Sequence, residues 1–190
     1  MLLRHKITNN FSKIVTIYNK ISKKSSHIAN FQSLYFENFP ASERRDWDQE
    51  VALIDEEDRF HLLGAIDDGA LVGFISYWML EECCYIEHLA VSAPRRCAGL
   101  GGSLLRHVAG LGMPVLLEVE PPVDEITRRR VAFYQSHGLL LRDEVPYIQP
   151  PYSLGLPPVP MCIMTSPGMT VSQVTACVEE LRRVVYRCSE

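Results

Sequence analysis

Apolar positions along this chain recur in two rhythms, and each change of rhythm marks an element. Between Ser12 and Ile21 the β-branched residues Ile14, Val15, Thr16 and Ile17 predict a first strand. From His27 to Phe39, residues Ile28, Phe31, Leu34, Tyr35 and Phe39 fall three or four apart, predicting an amphipathic helix stopped by Pro40. Ser42 followed by Arg44 to Leu53 predicts a second helix with Ser42 as its N-cap. A hairpin follows: strand Phe60 to Ile66, turn Asp67-Asp68-Gly69, strand Leu71 to Leu80. Tyr85 to Val91 reads as a buried strand and Ser103 to Leu111 as a helix. Val115 to Val119 reads as a strand ended by Pro121 and Pro122, and Asp124 to His137 as a helix stopped by Gly138. Met161 to Thr165 predicts a last strand. Thr170 to Cys188, with Val171, Val174, Val178, Leu181 and Val185 at helical spacing, predicts a closing helix. The order is that of an α/β fold, with no internal repeat.

Arg95 to Gly102, Arg-Arg-Cys-Ala-Gly-Leu-Gly-Gly, joins a buried strand to a helix. A glycine-rich turn there lets backbone approach a ligand, and the unpaired N–H groups at the helix start favour an anion such as a diphosphate. No Lys follows the glycines, so the turn is not a P-loop, and Gly99, Gly101 and Gly102 lack the spacing of a dinucleotide fingerprint. Arg96-x-x-Gly99-x-Gly101 resembles the Arg/Gln-x-x-Gly-x-Gly/Ala signature of the GNAT superfamily of acyl-CoA-dependent N-acetyltransferases. Arg128 to Leu139, with Phe133-Tyr134 and then Gly138, is similar to that family's later helix, although Leu139 stands where Phe is usual and Thr127 and Arg130 replace an often-seen Asn. Tyr85 to Val91 resembles its central strand, and the ordered pattern covers about residues 35 to 165.

The resemblance implies a mixed β-sheet whose two central parallel strands splay apart at the CoA site, with helices on both faces. It implies acetyl-CoA as acyl donor, its diphosphate on the N–H groups of Arg96, Cys97, Ala98, Gly99, Leu100, Gly101, Gly102 and Ser103, with Arg96 adding charge. The strand residues Leu89, Ala90 and Val91 would complete that site, a backbone N–H of Leu89 or Val91 holding the thioester oxygen. Tyr134 would be the general acid for the departing thiolate.

Acetylating an amine also needs a proton acceptor. In a strand, residues 85, 87, 89 and 91 share one face, and a carboxylate on so apolar a strand is costly to bury, which makes Glu87 the first candidate base. The other reading of Glu87 is a structural carboxylate paired with an Arg or a helix N-terminus. His88 faces the opposite side and reads as a satisfied core histidine. Glu118 and Glu120 share a face of the next strand and rank behind Glu87, while Tyr147 and Tyr152 in the Pro-rich stretch offer aromatic walls for an acceptor. Arg128, Arg129 and Arg130 read as solvated charge or CoA phosphate contacts.

Composition narrows the partners. With 190 residues and 47% hydrophobic content the chain has room for one sizeable core. Its net charge of -4 gives no attraction to nucleic acid. Residues 1–30 hold six Lys or Arg and no acid, which suggests a basic segment, partly flexible or a first strand, ahead of a single acetyltransferase domain over 31–190. No apolar run is long enough for a membrane span. The six cysteines, at 83, 84, 97, 162, 177 and 188, lack metal spacing and read as reduced thiols, so a cytoplasmic protein without a metal is expected. Cys97 lies in the turn, where its N–H is of more use than its sulfur. The expected partners are acetyl-CoA, a primary amine on a small molecule or peptide, and a second copy of the chain. The alternative functions are an acyl-CoA sensor or partner-binding domain that has lost catalysis, or a phosphate-binding domain of another family.

Overall fold

The described residues of the computed structural model are 5–7, 15–19 and 21–188, the first two stretches by backbone alone. The elements are β1 (His5–Ile7), β2 (Val15–Asn19), α1 (Ile28–Asn38), α2 (Trp47–Glu56), β3 (Phe60–Asp67), β4 (Ala70–Met79) and β5 (Cys84–Val91). There follow α3 (Leu100–Ala109), β6 (Val115–Val119), α4 (Glu125–Ser136), β7 (Leu140–Leu141), β8 (Tyr147–Gln149), β9 (Val159–Thr165) and α5 (Val171–Val184). The strands form a mixed sheet in the order β1-β2-β3-β4-β5-β6-β9-β7, with β8 also paired to β9.

Local chemistry explains most of these elements. Asp68 and Gly69 both have positive φ, 49° and 78°, so the β3–β4 turn carries the left-handed pair that a tight hairpin requires. Alternating side chains separate two cores. Leu62, Phe74, Trp78, Leu116 and Ile163 pack beneath α1, α2 and α5, while Leu63, Ile75, Tyr77, Leu117 and Met164 pack beneath α3 and α4. Helices thus cover both faces.

Among the described residues, every strand pair is antiparallel except β5 with β6. That parallel ladder has three rungs, Cys84–Val115, Tyr85–Leu116 and Ile86–Leu117, and then stops. Both strands continue, to Val91 and Val119, without pairing with each other. The sheet is splayed open at its centre.

Two expectations need correction. Ser42 does not cap the second helix. Residues Ala41–Glu43 form one 3-10 turn, Arg44 is extended, and α2 begins after Asp46. Tertiary contacts hold this segment: the Arg45 N–H donates to Tyr35 Oη at 2.9 Å and its guanidinium pairs with Glu87. The alternation along β5 also breaks. Ser76 faces His88 and Tyr77 faces Ile86, leaving Glu87 unmatched as a β-bulge. Glu87 and His88 therefore both lie on the α1/α2/α5 side, and Leu89 and Val91 pack on the other, contrary to a strict two-residue period. In addition, Tyr147–Gln149 and Leu140–Leu141 are strands that the rhythm did not mark. Residues 12–14 of the anticipated first strand lie outside the described residues; its remainder is β2.

Candidate active site

The bulge shifts the backbone as well as the side chains. Before it, the Cys84 N–H donates across the seam to Pro114 O at 2.8 Å. After it, the Ser92 N–H donates to Val72 O on the β4 side at 2.9 Å. By alternation the N–H groups of Leu89 and Val91 point into the gap vacated by β6, and that of Ala90 toward β4. A cleft of about 730 Å³ occupies this gap, lined by Leu89, Val91, Glu87, Glu118, Tyr134 and Tyr152 among others.

One end of the cleft is the glycine turn. Cys97 and Gly99 both take left-handed φ, 63° and 77°, and so curve the backbone into a nest at the start of α3. Gly99 is the N-cap of α3 and offers no side-chain acceptor, so the first N–H groups of the helix are left for a ligand. Arg96, Cys97, Gly99, Leu100, Gly101 and Gly102 line the cleft; Ala90, Ala98 and Ser103 do not. Arg96 also ties the turn to α1, donating to Val91 O at 3.2 Å and to Asn38 Oδ1 at 3.0 Å. The glycines differ in what they do. A Cβ on Gly102 would lie 2.2 Å from His137 Nε2, whereas one on Gly101 would meet Phe133 at 3.5 Å, an ordinary contact. An anion fits such a turn, because the nest and helix start converge on one point.

The three carboxylates have different surroundings. The Glu87 side chain is fully buried, pairs with the Arg45 guanidinium, and accepts from Trp78 Nε1 at 2.8 Å and Tyr152 Oη at 2.9 Å. Burial pushes its carboxyl up, but the charges of Arg45 and His88 and the hydrogen bonds from Trp78 and Arg45 outweigh it, and the net effect is downward. It is an ionised, fully engaged group. Glu118 accepts from Tyr147 Oη and, at 2.8 Å, from Tyr186 Oη; burial dominates these bonds and raises it to about 7. Glu120 is ion-paired with Arg130. Arg129 pairs with Glu125 at 2.5 Å, and Arg128 donates to Val123 O at 2.8 Å.

Tyr134 lines the same cleft from α4, its ring against Phe133 at 5.1 Å; burial raises its phenol to about 12, with Arg130 opposing. His88 is a bonded core histidine, with Nδ1 3.3 Å from Ser76 Oγ and Nε2 3.1 Å from Glu43 O. Its rings of contact are Tyr35 and Phe39. Sequence reading missed Arg45 and Tyr186. Arg45 carries no local signal; the helix expected to run to Cys188 ends at Val184, and Tyr186 lies just past it, its hydroxyl brought to bear only through the fold.

Comparison with known proteins agrees with this fold. Residues 27–139 match the model of the Acetyltransferase (GNAT) family. A Bacillus subtilis (strain 168) protein named as an acetyltransferase, YjbC, is 32% identical over 110 residues, covering 56% of this chain. The chain spans about half, 54%, of that relative's length. A Bacteroides thetaiotaomicron structure described as a GNAT-family acetyltransferase is 34% identical with a TM-score of 0.81, covering 90% of this chain and 98% of that one. An acetyl-CoA-bound GNAT acetyltransferase from Elizabethkingia anophelis shares the fold, with a TM-score of 0.56 and 14% identity over 80% of this chain and 97% of that one.

Proposed function

The chain belongs to the acetyltransferase (GNAT) family, and from that premise we propose that it transfers an acetyl group from acetyl-CoA to a primary amine within a ternary complex. The observation that carries this reading is the juxtaposition, in one cleft, of the α3 N-terminus, the unpaired β5 edge, Glu118 and Tyr134. When bound, acetyl-CoA would supply the acetyl group as a thioester. The turn from Arg96 to Gly102 would hold its diphosphate. The Leu89 N–H, with Val91 as the neighbouring donor, would stabilise negative charge as it builds on the acyl oxygen.

Glu118 takes the proton of the incoming ammonium in this reading, since its affinity lies near neutrality, where a base is most effective. Glu87, ranked first by sequence, is held ionised by Arg45 and serves as the anchor of the acceptor wall. Tyr134 gives its proton to the departing thiolate.

The test is a panel of primary amines assayed for CoA release from acetyl-CoA. An E118Q variant should lose roughly 10²-fold or more in turnover while binding CoA as the wild type does. CoA binding by calorimetry with no turnover on any amine would instead mark a non-catalytic acyl-CoA sensor. Wild-type turnover in E118Q would remove Glu118 from the mechanism.

A further inference from the structure

The mechanism leaves unused a set of tyrosines from the C-terminal part of the chain and the buried Arg45 cluster. These two features are connected. Tyr147 and Tyr186 each donate to a different oxygen of Glu118. Tyr186 Oη lies 3.3 Å from Tyr152 Oη, which donates to Glu87, and the two rings stand 4.9 Å apart. Glu87 pairs with Arg45, and another nitrogen of Arg45 donates to Val185 O at 3.0 Å. Val185 immediately precedes Tyr186, so the ion pair secures Tyr186 twice: through the backbone before it and through Tyr152 at its hydroxyl. Tyr147 is fixed independently, in register with Met161 on β9. All three tyrosines lie beyond residues 27–139, the stretch that matches the family.

We propose that Tyr186 and Tyr147 are positioning residues for Glu118, fixing both carboxylate oxygens in the cleft wall and setting the pH at which it accepts a proton. The proposal rests on Glu118 as the base. The groups facing that carboxylate are Tyr85 and Glu87 from β5, Tyr147 from β8, Tyr152 from the loop after it, and Tyr186 after α5. Burial and the charge of Glu87 favour the protonated acid, whereas each phenol donor favours the carboxylate. Removing one donor tips this balance toward the acid. Without both donors Glu118 would stay protonated at neutral pH and be unable to receive the proton of an ammonium.

The experiment follows the Glu118 side-chain carboxyl by NMR in protein labelled with ¹³C at the glutamate side-chain carboxyl, using E118Q to assign the signal. Its titration midpoint should move up by about one pH unit in Y186F and in Y147F, the scale of one hydrogen bond to a charged group. The acidic limb of turnover on an amine from the panel should move in the same direction, leaving the KM for acetyl-CoA unchanged and turnover restored above pH 9. A midpoint unmoved in both variants overturns the proposal, and either variant alone suffices if the other fails to fold. The titration needs no acceptor, so the two readings fail separately. An inactive E118Q with unmoved midpoints sinks only the positioning role, whereas an active E118Q sinks the base.

Discussion

At the scale of single residues, adjacent glycines perform different tasks. Gly102 gives α3 room to pass His137, whose Nδ1 lies 2.8 Å from Phe133 O and whose ring lies 4.6 Å from that of Phe133. G102A should therefore cost about 1–3 kcal/mol of stability, read as a lowered melting temperature, because this neighbour cannot easily yield. G101A should melt almost as the wild type does but bind CoA roughly tenfold more weakly by calorimetry, since its methyl enters the cleft at the anion turn. Tyr134 carries a pH prediction. Burial raises its phenol to about 12, so it stays protonated across the working range and contributes no falling limb below about pH 11. Y134F should lower turnover roughly 10²-fold at every pH from 6 to 10, with CoA affinity unchanged. A variant-to-wild-type ratio that climbs steeply with pH in that range would contradict a phenol with so high an affinity.

At the scale of elements, tight turns and helix stops were the most legible features, whereas the N-cap expected at Ser42 failed. The α5 N-terminus, expected at Thr170, is closed by a box that the sequence analysis did not name: Thr170 Oγ1 accepts from the Gln173 N–H at 3.2 Å, and Gln173 Oε1 accepts from the Thr170 N–H at 2.9 Å. T170A should cost about 1 kcal/mol in denaturant unfolding without altering CoA binding. The Asp68-Gly69 hairpin and the Gly138 stop were readable because each is set by local residues. The start of α2 was not, because Arg45 is drawn out of any helix by Tyr35 and Glu87, partners distant in sequence. Nor was the β5 bulge, which sits in a run of apolar and polar residues with no glycine or proline to announce it. The candidate site divides likewise. Its anion turn has a sequence pattern, and Tyr134 was found through resemblance. The rank order of Glu87 and Glu118 depends on which carboxylate meets an arginine and which meets phenols.

At the scale of the whole molecule, the buried charge cluster ties stability to pH. Glu50 is fully buried beside Arg45, with Oε1 lacking a hydrogen bond, and burial together with the charge of Glu87 raises it from 4.5 to about 8. A carboxyl with a raised folded-state value stabilises the fold fully below its unfolded value, about 4.5, and loses that contribution as pH rises through about 8. E50Q resembles the neutral acid at all pH, so its melting temperature relative to wild type should rise between pH 5 and pH 9. A difference that stays flat over that range would mean Glu50 does not titrate within it.

The three-rung seam between β5 and β6 has a mechanical consequence. Strand pairing grips the two halves of the sheet at one end only, and the chain crosses between them through α3 and an exposed turn at 110–112. A further grip is α5, which leaves β9 on one half and binds the other: Glu180 accepts the Glu81 N–H at 3.0 Å, and Val185 O accepts from Arg45. The width of the cleft is therefore set from outside the sheet as well as within it, by the contacts of the C-terminal helix and of its last residues.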